Sequence, residues 1–429
     1  MKLKKYKLGE LIEVTRGASL SGEYYATQGE YIRLTCGNFD YHNNCFKENK
    51  SKDNIYYVGK FRDEFLMEEG DIITPLTEQA VGLLGSTALI PESGKYIQSQ
   101  DVAKITCNEK LLDKKFAFYL ISSSLVKQQL SAAAQQTKIR HTSPDKIKDC
   151  VVWIPEMSEQ RLIGTLLSTI DQKISLNRQV NHYLEAMVKQ LYDYWFVQFD
   201  FPDVNGKPYK SSGGKMVWNE KLKREIPEGW SNIPLRDFAD IYNGATPSTE
   251  VSSNYGGDII WITPKDLSDQ QSKFTYYGYR NITSAGYNSC STRLLPAKTI
   301  LLSSRAPIGL ISIAMVDLCT NQGFKSLVCK DLQLYAYLYY YIRRHIKQIE
   351  QLGTGTTFKE VSREDLCTFP ILEVKSTELM QQWFNQIEPV FMQQYELIKE
   401  INYLSKKRDE LLPLLMNGQV SVKQLNNDL

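Results

Sequence analysis

Ser158-Glu-Gln-Arg-Leu-Ile-Gly-Thr-Leu-Leu-Ser-Thr-Ile-Asp-Gln-Lys-Ile-Ser-Leu-Asn177 opens a stretch whose apolar period decides the architecture. Alternate steps of three and four residues from Ile163 reach Leu166, Ile170, Lys173, Asn177, Val180, Leu184, Met187, Leu191 and Tyr194, and only two of these positions are polar. A second walk from Trp383 reaches Ile387, Val390, Gln394, Leu397, Ile401, Leu404, Arg408, Leu411 and Leu415, again with two polar members. A period of 3.5 residues belongs to helices that pair along a seam. At 1.5 Å per residue, a helix of about 40 residues spans about 60 Å, more than one small domain can cover. Each stripe therefore needs a partner outside its own globular segment, and the two helices are expected to pair. Ser158 and Ser376 are expected as N-caps, with Glu159 and Glu378 in the first turn, where negative charge suits the helix dipole. Lys173, Asn177, Gln394 and Arg408 would fix register, and Pro389 is the expected kink.

Outward from these helices, the chain repeats itself. The stretch from about Lys7 to Phe199 is laid out again from about Leu235 to Leu415, and Gly70-Asp-Ile-Ile-Thr-Pro75 recurs as Lys298-Thr-Ile-Leu-Leu-Ser303. A period of roughly 220 residues is far beyond solenoid repeats of about 20 to 50 residues, so the repeat is a pair of domains. In the first copy, Tyr31–Thr35, Asp71–Pro75, Val81–Ile90, Asp101–Thr106 and Asp149–Ile154 read as strands, with a helix over Leu112–Leu130. In the second, Ile259–Thr263, Thr299–Ser303, Leu310–Val316, Phe324–Cys329 and Thr368–Leu372 read as strands, with a helix over Leu332–Leu352. Both copies read as mixed α/β. Between them, Asp200 to Lys215 is dense in Gly, Pro and Ser and reads as a turn-forming linker.

Composition narrows the function. The 429 residues are 42% hydrophobic and 23% charged, which suits two ordinary globular cores. A net charge of +2 means that a polyanion must be met by local clusters, such as Lys138, Arg140 and His141 or Arg343, Arg344, His345 and Lys347. The eight cysteines form no CxxC pair, and Cys36, His42 and Cys45 match no common zinc spacing. Buried thiols in a reducing cytosol are expected. No run approaches the roughly 18 to 20 apolar residues of a membrane span, so no membrane and a cytoplasmic location are expected.

Several motifs make this chain resemble the specificity subunits of type I restriction-modification systems. They are Asn205-Gly-Lys-Pro-Tyr-Lys-Ser-Ser-Gly-Gly-Lys215, Arg224-Glu-Ile-Pro-Glu-Gly-Trp230, Trp261-Ile-Thr-Pro-Lys-Asp-Leu267, Ser304-Arg-Ala-Pro-Ile-Gly309, Thr320-Asn-Gln-Gly-Phe324 and Pro155-Glu-Met-Ser-Glu-Gln160. The first half departs further, with Arg33-Leu-Thr-Cys-Gly-Asn38 and Gln79-Ala-Val-Gly82 standing where the second has Ile262-Thr-Pro-Lys-Asp-Leu267 and Arg305-Ala-Pro-Ile-Gly309.

The resemblance implies two target-recognition domains, each reading half of a split DNA target, joined by two long helices that form an antiparallel coiled coil. The expected divisions are recognition domain 1 over 1–155, a spacer helix over 156–199, a linker over 200–230, recognition domain 2 over 231–372, a second spacer helix over 373–418 and a tail over 419–429. Implied partners are double-stranded DNA, two methyltransferase subunits and, in the full complex, motor-nuclease subunits. No cofactor is expected on this chain. It has no glycine-rich cofactor loop, no Asn/Asp-Pro-Pro-aromatic tetrad, no Walker loop and no motif context for its four histidines, so it reads as a non-catalytic adaptor. A coiled-coil scaffold that binds proteins without reading bases is the alternative.

Base reading uses Arg against guanine and Asn or Gln against adenine. The nominated contacts are Arg305, Asn321, Gln322 and Lys325 in the second half, and Arg33, Thr77, Gln79, Gln98 and Gln100 in the first. Lys138 and Arg140 are assigned to phosphate. The loop with Thr356, Thr357 and Lys359 resembles a backbone phosphate grip. Tyr276, Tyr277 and Tyr279 are further surface candidates.

Overall fold

The computed structural model of the protein describes residues 2–51, 53–78, 82–133, 140–355 and 359–422. It divides into two compact units: Met1–Leu176 with Asn402–Leu429, and Asn177–Ile401. Each unit holds one α/β body and part of both long helices.

In unit 1, an antiparallel sheet orders the strands Ala88–Leu89, Ile72–Pro75, Val102–Cys107 and Ile12–Arg16. Ile12 and Val14 are buried while Glu13 and Thr15 of the same strand are not, the period-2 alternation of a one-sided sheet. A second sheet pairs Tyr31–Arg33 in parallel with Tyr96–Ile97 and antiparallel with Tyr56–Tyr57. The expected helix over Leu112–Leu130 is two helices, Lys114–Ile121 and Ser124–Ala133. The break falls at Ser122 and Ser123, whose hydroxyls donate to the carbonyls of Phe118 and Leu120. Such side-chain-to-backbone bonds favour helix ends. Phe116, Ile163, Leu167 and Leu415 share one core, each fully buried, so both long helices contribute to it.

In unit 2, the corresponding sheet has five strands in the order Ala239–Asn243, Phe324–Cys329, Ile300–Ser304, Ile308–Ala314 and Phe274–Thr275. The expected helix over Leu332–Leu352 again breaks, into Tyr335–Arg344 and Ile346–Gln351. The core is aromatic. Trp383 is fully buried, with Phe196 at 4.9 Å, Trp195 at 5.8 Å and Tyr192 at 6.0 Å between ring centroids. Emptying a site of this kind by Trp→Ala typically costs about 3 to 5 kcal/mol.

The first long helix runs Met157–Tyr192 and continues as a π-helical turn over Asp193–Val197. The second runs Thr377–Met416 through Pro389 without interruption. Ser376 caps as expected, accepting from Leu379 N at 3.2 Å. Ser158 does not: it lies inside the helix and donates to Glu156, whose carbonyl accepts the first helical bonds.

On the second helix Trp383, Ile387, Gln394, Arg408 and Leu415 are buried as the stripe requires. On the first, the stripe is shifted at alternate positions. Leu167, Ile174 and Val188 are buried where Leu166, Lys173 and Met187 were expected, and Met187 is 49% exposed. A four-then-three walk and a three-then-four walk from Ile163 bracket the same face, and apolar content alone does not choose between them.

Within unit 2, Asn177 donates to Glu400 and Gln394 to Asn181 O, so partners advance on one helix as they retreat on the other. Within unit 1, Arg408 meets Asp171 at 2.9 Å, and Asp171 also accepts from the Tyr119 hydroxyl at 2.6 Å. The linker is more than turns. Phe201 stacks between Tyr209 and Trp230, and Met216–Asn219 pairs with Arg224–Pro227 as a hairpin. Among the described residues, no helix is long and apolar enough to cross a membrane.

Candidate nucleic-acid interface

The two bodies are built on one hydrogen-bond frame. Gly70 and Lys298, the first residues of the repeated segment, have φ of 76° and 72°. Gly70 N donates to Ile90 O and Lys298 N to Ala314 O, and each acceptor residue donates back one position further along the segment. Six residues on from Gly70 and Lys298, Leu76 N donates to Asp101 O as Ser304 N does to Gly323 O, while Thr142 N returns to Leu76 O as Val361 N does to Ser304 O. The frame fixes which residues correspond. Thr77 stands in the place of Arg305, and His141 in that of Glu360. This differs from the alignment expected from sequence, which set Gln79 opposite Arg305.

A second element of the frame is a glycine elbow after the first sheet strand of each body. A Cβ on Gly17 would lie 2.2 Å from Gln98 O, and one on Gly244 would lie 2.0 Å from Asn321 O, so neither position admits a side chain. The next residues close the elbow, with Ala18 N donating to Gln98 O and Ala245 N to Thr320 O. The elbows therefore place Ser99-Gln100 and Asn321-Gln322 alike. Thr35 and Thr263 also correspond, each capping a short helix with Asn38 or Asp266 at its third position. Their match moves the expected alignment of Arg33–Asn38 with Ile262–Leu267 by one residue.

In unit 2, the frame gathers charge. Glu360 accepts from Lys325 Nζ at 2.9 Å and lies 3.6 Å from Arg305 Nη1. Lys325 is buried, while Arg305 keeps 37% of its side chain exposed. Asn321 Oδ1 accepts from Gly323 N, which shapes the turn, and the exposed Gln322 accepts from the Thr246 hydroxyl. Lys359 is exposed beside the Thr354–Glu360 bridge. A shallow depression runs from Lys325 past Thr354 to Arg363, whose Nε donates to Ile241 O. Tyr279 is 97% exposed, and its N–H donates to Asp266. Tyr276 instead packs edge-on against Tyr395.

In unit 1, the Thr77 hydroxyl lies 3.3 Å from His141 Nδ1 and 3.5 Å from Asp101 Oδ1. Cys36 Sγ donates to Thr77 O, and burial, with the Asp101 charge adding to it, pushes the thiol up to about 11, so it stays protonated. Gln100 is exposed, and its carbonyl accepts from Arg16 Nε at 2.8 Å.

Other nominated residues face inward. Gln98 is 1% exposed, and its amide donates to Thr15 O and Val102 O. Arg33 is 7% exposed, its guanidinium 3.8 Å from the Tyr25 ring centroid and its Nη2 bonded to Asn54 O. The backbone of Arg140 pairs with Glu78. Gln79, Lys138, Thr356 and Thr357 lie outside the described residues. Sequence reading passed over Glu360, Asp101 and the two elbows, and took His141 only as part of a basic cluster. The recurring Gly17-Ala18 and Gly244-Ala245 pairs were the available signal.

Residues 2–186 and 227–402 match the family described as Type I restriction modification DNA specificity domain. The type I restriction enzyme MjaIX specificity subunit of Methanocaldococcus jannaschii is 35% identical over 228 residues, 44% of this chain and 53% of that protein, so the match spans about half of that relative. The HindI specificity subunit of Haemophilus influenzae is 25% identical over 382 residues, 76% of this chain and 81% of the relative. A solved S subunit from M. genitalium has the same fold, with a TM-score of 0.65 at 16% identity over 97% of this chain and 96% of that one. Matched once in each half, the chain belongs to the Type I restriction modification DNA specificity family.

Proposed function

We propose that this chain is the non-catalytic sequence-specificity subunit of a type I restriction-modification complex, with each α/β body reading one half of a bipartite DNA target. The observation that carries the reading is the shared frame. It holds Thr77 with His141 in one body and Arg305 with Glu360 in the other, so one scaffold presents different donors and acceptors. Forked donors such as arginine read guanine edges, and amides such as Gln100 and Gln322 suit adenine. Lys359 and Arg140 are assigned to phosphate, which positions a protein on DNA without specifying sequence.

The long helices act in this reading as an antiparallel coiled coil that sets the gap between half-sites. Their outward faces dock two methyltransferase subunits, and motor-nuclease subunits join in the full complex. Support comes from exposed apolar side chains on the first helix within unit 2, Tyr183 at 70% and Met187 at 49%. Large exposed apolar side chains on a helix favour burial against another protein.

Methylome mapping of cells expressing this chain with its methyltransferase partner tests the reading. A bipartite motif with a fixed gap, absent when the chain is deleted, is expected. A continuous motif or an unchanged methylome overturns it.

A further inference from the structure

Away from the residues assigned to DNA, unit 2 contains a partly enclosed cavity of about 120 Å³. Its walls come from the end of the first long helix, the linker hairpin and the junction at His345 between the helices Tyr335–Arg344 and Ile346–Gln351. Lys221, Arg224, Arg344 and His345 line it together with Phe196 and Tyr341, and no Asp or Glu is among the lining residues.

The cationic groups here are fixed by the fold. Arg224 Cζ lies 4.4 Å from the Phe199 ring centroid, and its Nη2 donates to Val197 O at 2.6 Å. Arg344 meets Asp193 at 3.2 Å, but Asp193 is shared with Lys189 at 3.1 Å. His345 stacks on Tyr341 at 4.3 Å, with Nδ1 2.7 Å from Tyr341 O. That bond places the proton of a neutral imidazole on Nδ1. Burial, followed by the Arg344 charge, holds Arg224 below its ordinary value. Burial holds His345 below its ordinary value too, against the Tyr341 carbonyl and with both guanidinium groups adding to the effect. Positive charge thus converges on an aromatic-walled space where one shared carboxylate offsets it incompletely.

We propose that this cavity binds a small tetrahedral oxyanion of the phosphate class. Arginine donors match phosphate oxygens in paired geometry, and low-dielectric walls strengthen the attraction. Size decides the ligand class. A single water needs only about 10 to 15 Å³ of such space, so about 120 Å³ admits one such anion and lies below the roughly 300 to 1,000 Å³ of pockets that hold larger ligands. A nucleic-acid phosphodiester brings a sugar on each side, so free phosphate is the favoured source.

The test is saturable broadening of the inorganic phosphate ³¹P signal by the full-length chain, at ionic strength held constant with sodium chloride. Arg344→Gln should weaken binding about tenfold or more, the scale of one charge-assisted hydrogen bond, and Lys221→Gln should weaken it less. Because Arg344 also meets Asp193, the exposed Lys221 provides a variant with little structural consequence. Absence of saturable binding, or equal affinity in both variants and the unmodified chain, overturns the site. A non-target duplex should leave phosphate bound; displacement would assign the anion to the DNA backbone and overturn the free-phosphate source.

Discussion

Lys325 Nζ lies 2.9 Å from Glu360 Oε1, with 7% of the lysine side chain exposed against 39% of the glutamate. The buried cation holds the carboxylate from below, and the same carboxylate stands 3.6 Å from Arg305 on its solvent side. Arg305 is thereby steered by a partner that is itself fixed. At the corresponding place in unit 1, Thr77 faces His141 instead. The two edges share a backbone frame and differ in the charge they present.

Arg305→Ala should alter the second half-site of the methylation motif and leave the first half-site and the gap unchanged. A good paired contact to a base is worth about 1 to 3 kcal/mol of discrimination, so relaxed preference at one position is the expected scale. Sequencing the methylome of the variant checks this, and an unchanged motif would remove Arg305 from base reading.

Glu360→Gln tests the steering differently. Glutamine can still accept from Lys325, so the body should remain folded, while Arg305 loses its competing carboxylate and becomes available to phosphate. Binding to non-target duplex should tighten, and the slope of log K against log salt should steepen by about 0.9, the value for one added phosphate contact. Anisotropy titrations across a salt series provide the slope; one equal to that of the unmodified chain would show that Glu360 does not restrain Arg305.

Much of this architecture could be read from the sequence because it rests on long-range pattern. The duplication of Gly70–Pro75 as Lys298–Ser303 was legible, and the structure gives both segments the same backbone frame. Both long helices announced themselves through their period. Side-chain direction was less legible. Gln98 has the chemistry of a base reader, but the elbow at Gly17 brings backbone against its carbonyl while its amide satisfies Thr15 O and Val102 O. Composition also gave no sign that Thr77 is the counterpart of Arg305, since only the return bonds from Thr142 and Val361 establish that match. Corresponding positions in a diverged repeat are held by backbone geometry, and substitution erases their side-chain signature.

Lys273→Met should change how stability depends on pH. Lys273 Nζ bonds to Glu185, Gln394 and Tyr340 at 2.9, 2.9 and 3.0 Å and lies 3.6 Å from the Phe391 ring centroid. Burial lowers its pKa to about 8, even though Glu185 pulls it upward. Burial alone would raise the Glu185 carboxyl, yet Lys273 and Arg343 together hold it below its ordinary value. The two directions agree because the carboxylate faces two cations, whereas the lysine faces one carboxylate and a repelling guanidinium. Between pH 8 and 10.5 the unfolded chain binds the Lys273 proton more tightly than the folded chain, so this residue makes stability rise with pH in that window. The unmodified chain should gain on Lys273→Met by on the order of 3 kcal/mol across it. Urea midpoints measured from pH 7 to 10 test the prediction, and parallel curves would show that Lys273 keeps an ordinary pKa.

Insertion of four residues into each long helix tests the spacing role. The change adds about 6 Å of rise, a little under two base pairs at about 3.4 Å each, so the gap in the methylation motif should lengthen by one or two base pairs. Both half-sites should persist, because Thr77 with His141 and Arg305 with Glu360 lie in the α/β bodies and not in the inserted segments. Four residues exceed one helical turn by about 0.4 residue, which rotates the faces by about 40°, so a matched insertion in both helices is needed to keep the pairs Asp171 with Arg408 and Asn177 with Glu400 in register. Methylation with intact half-sites and the original gap would show that helix length does not set the spacing, whereas loss of one half-site alone would place a recognition determinant within the helices themselves.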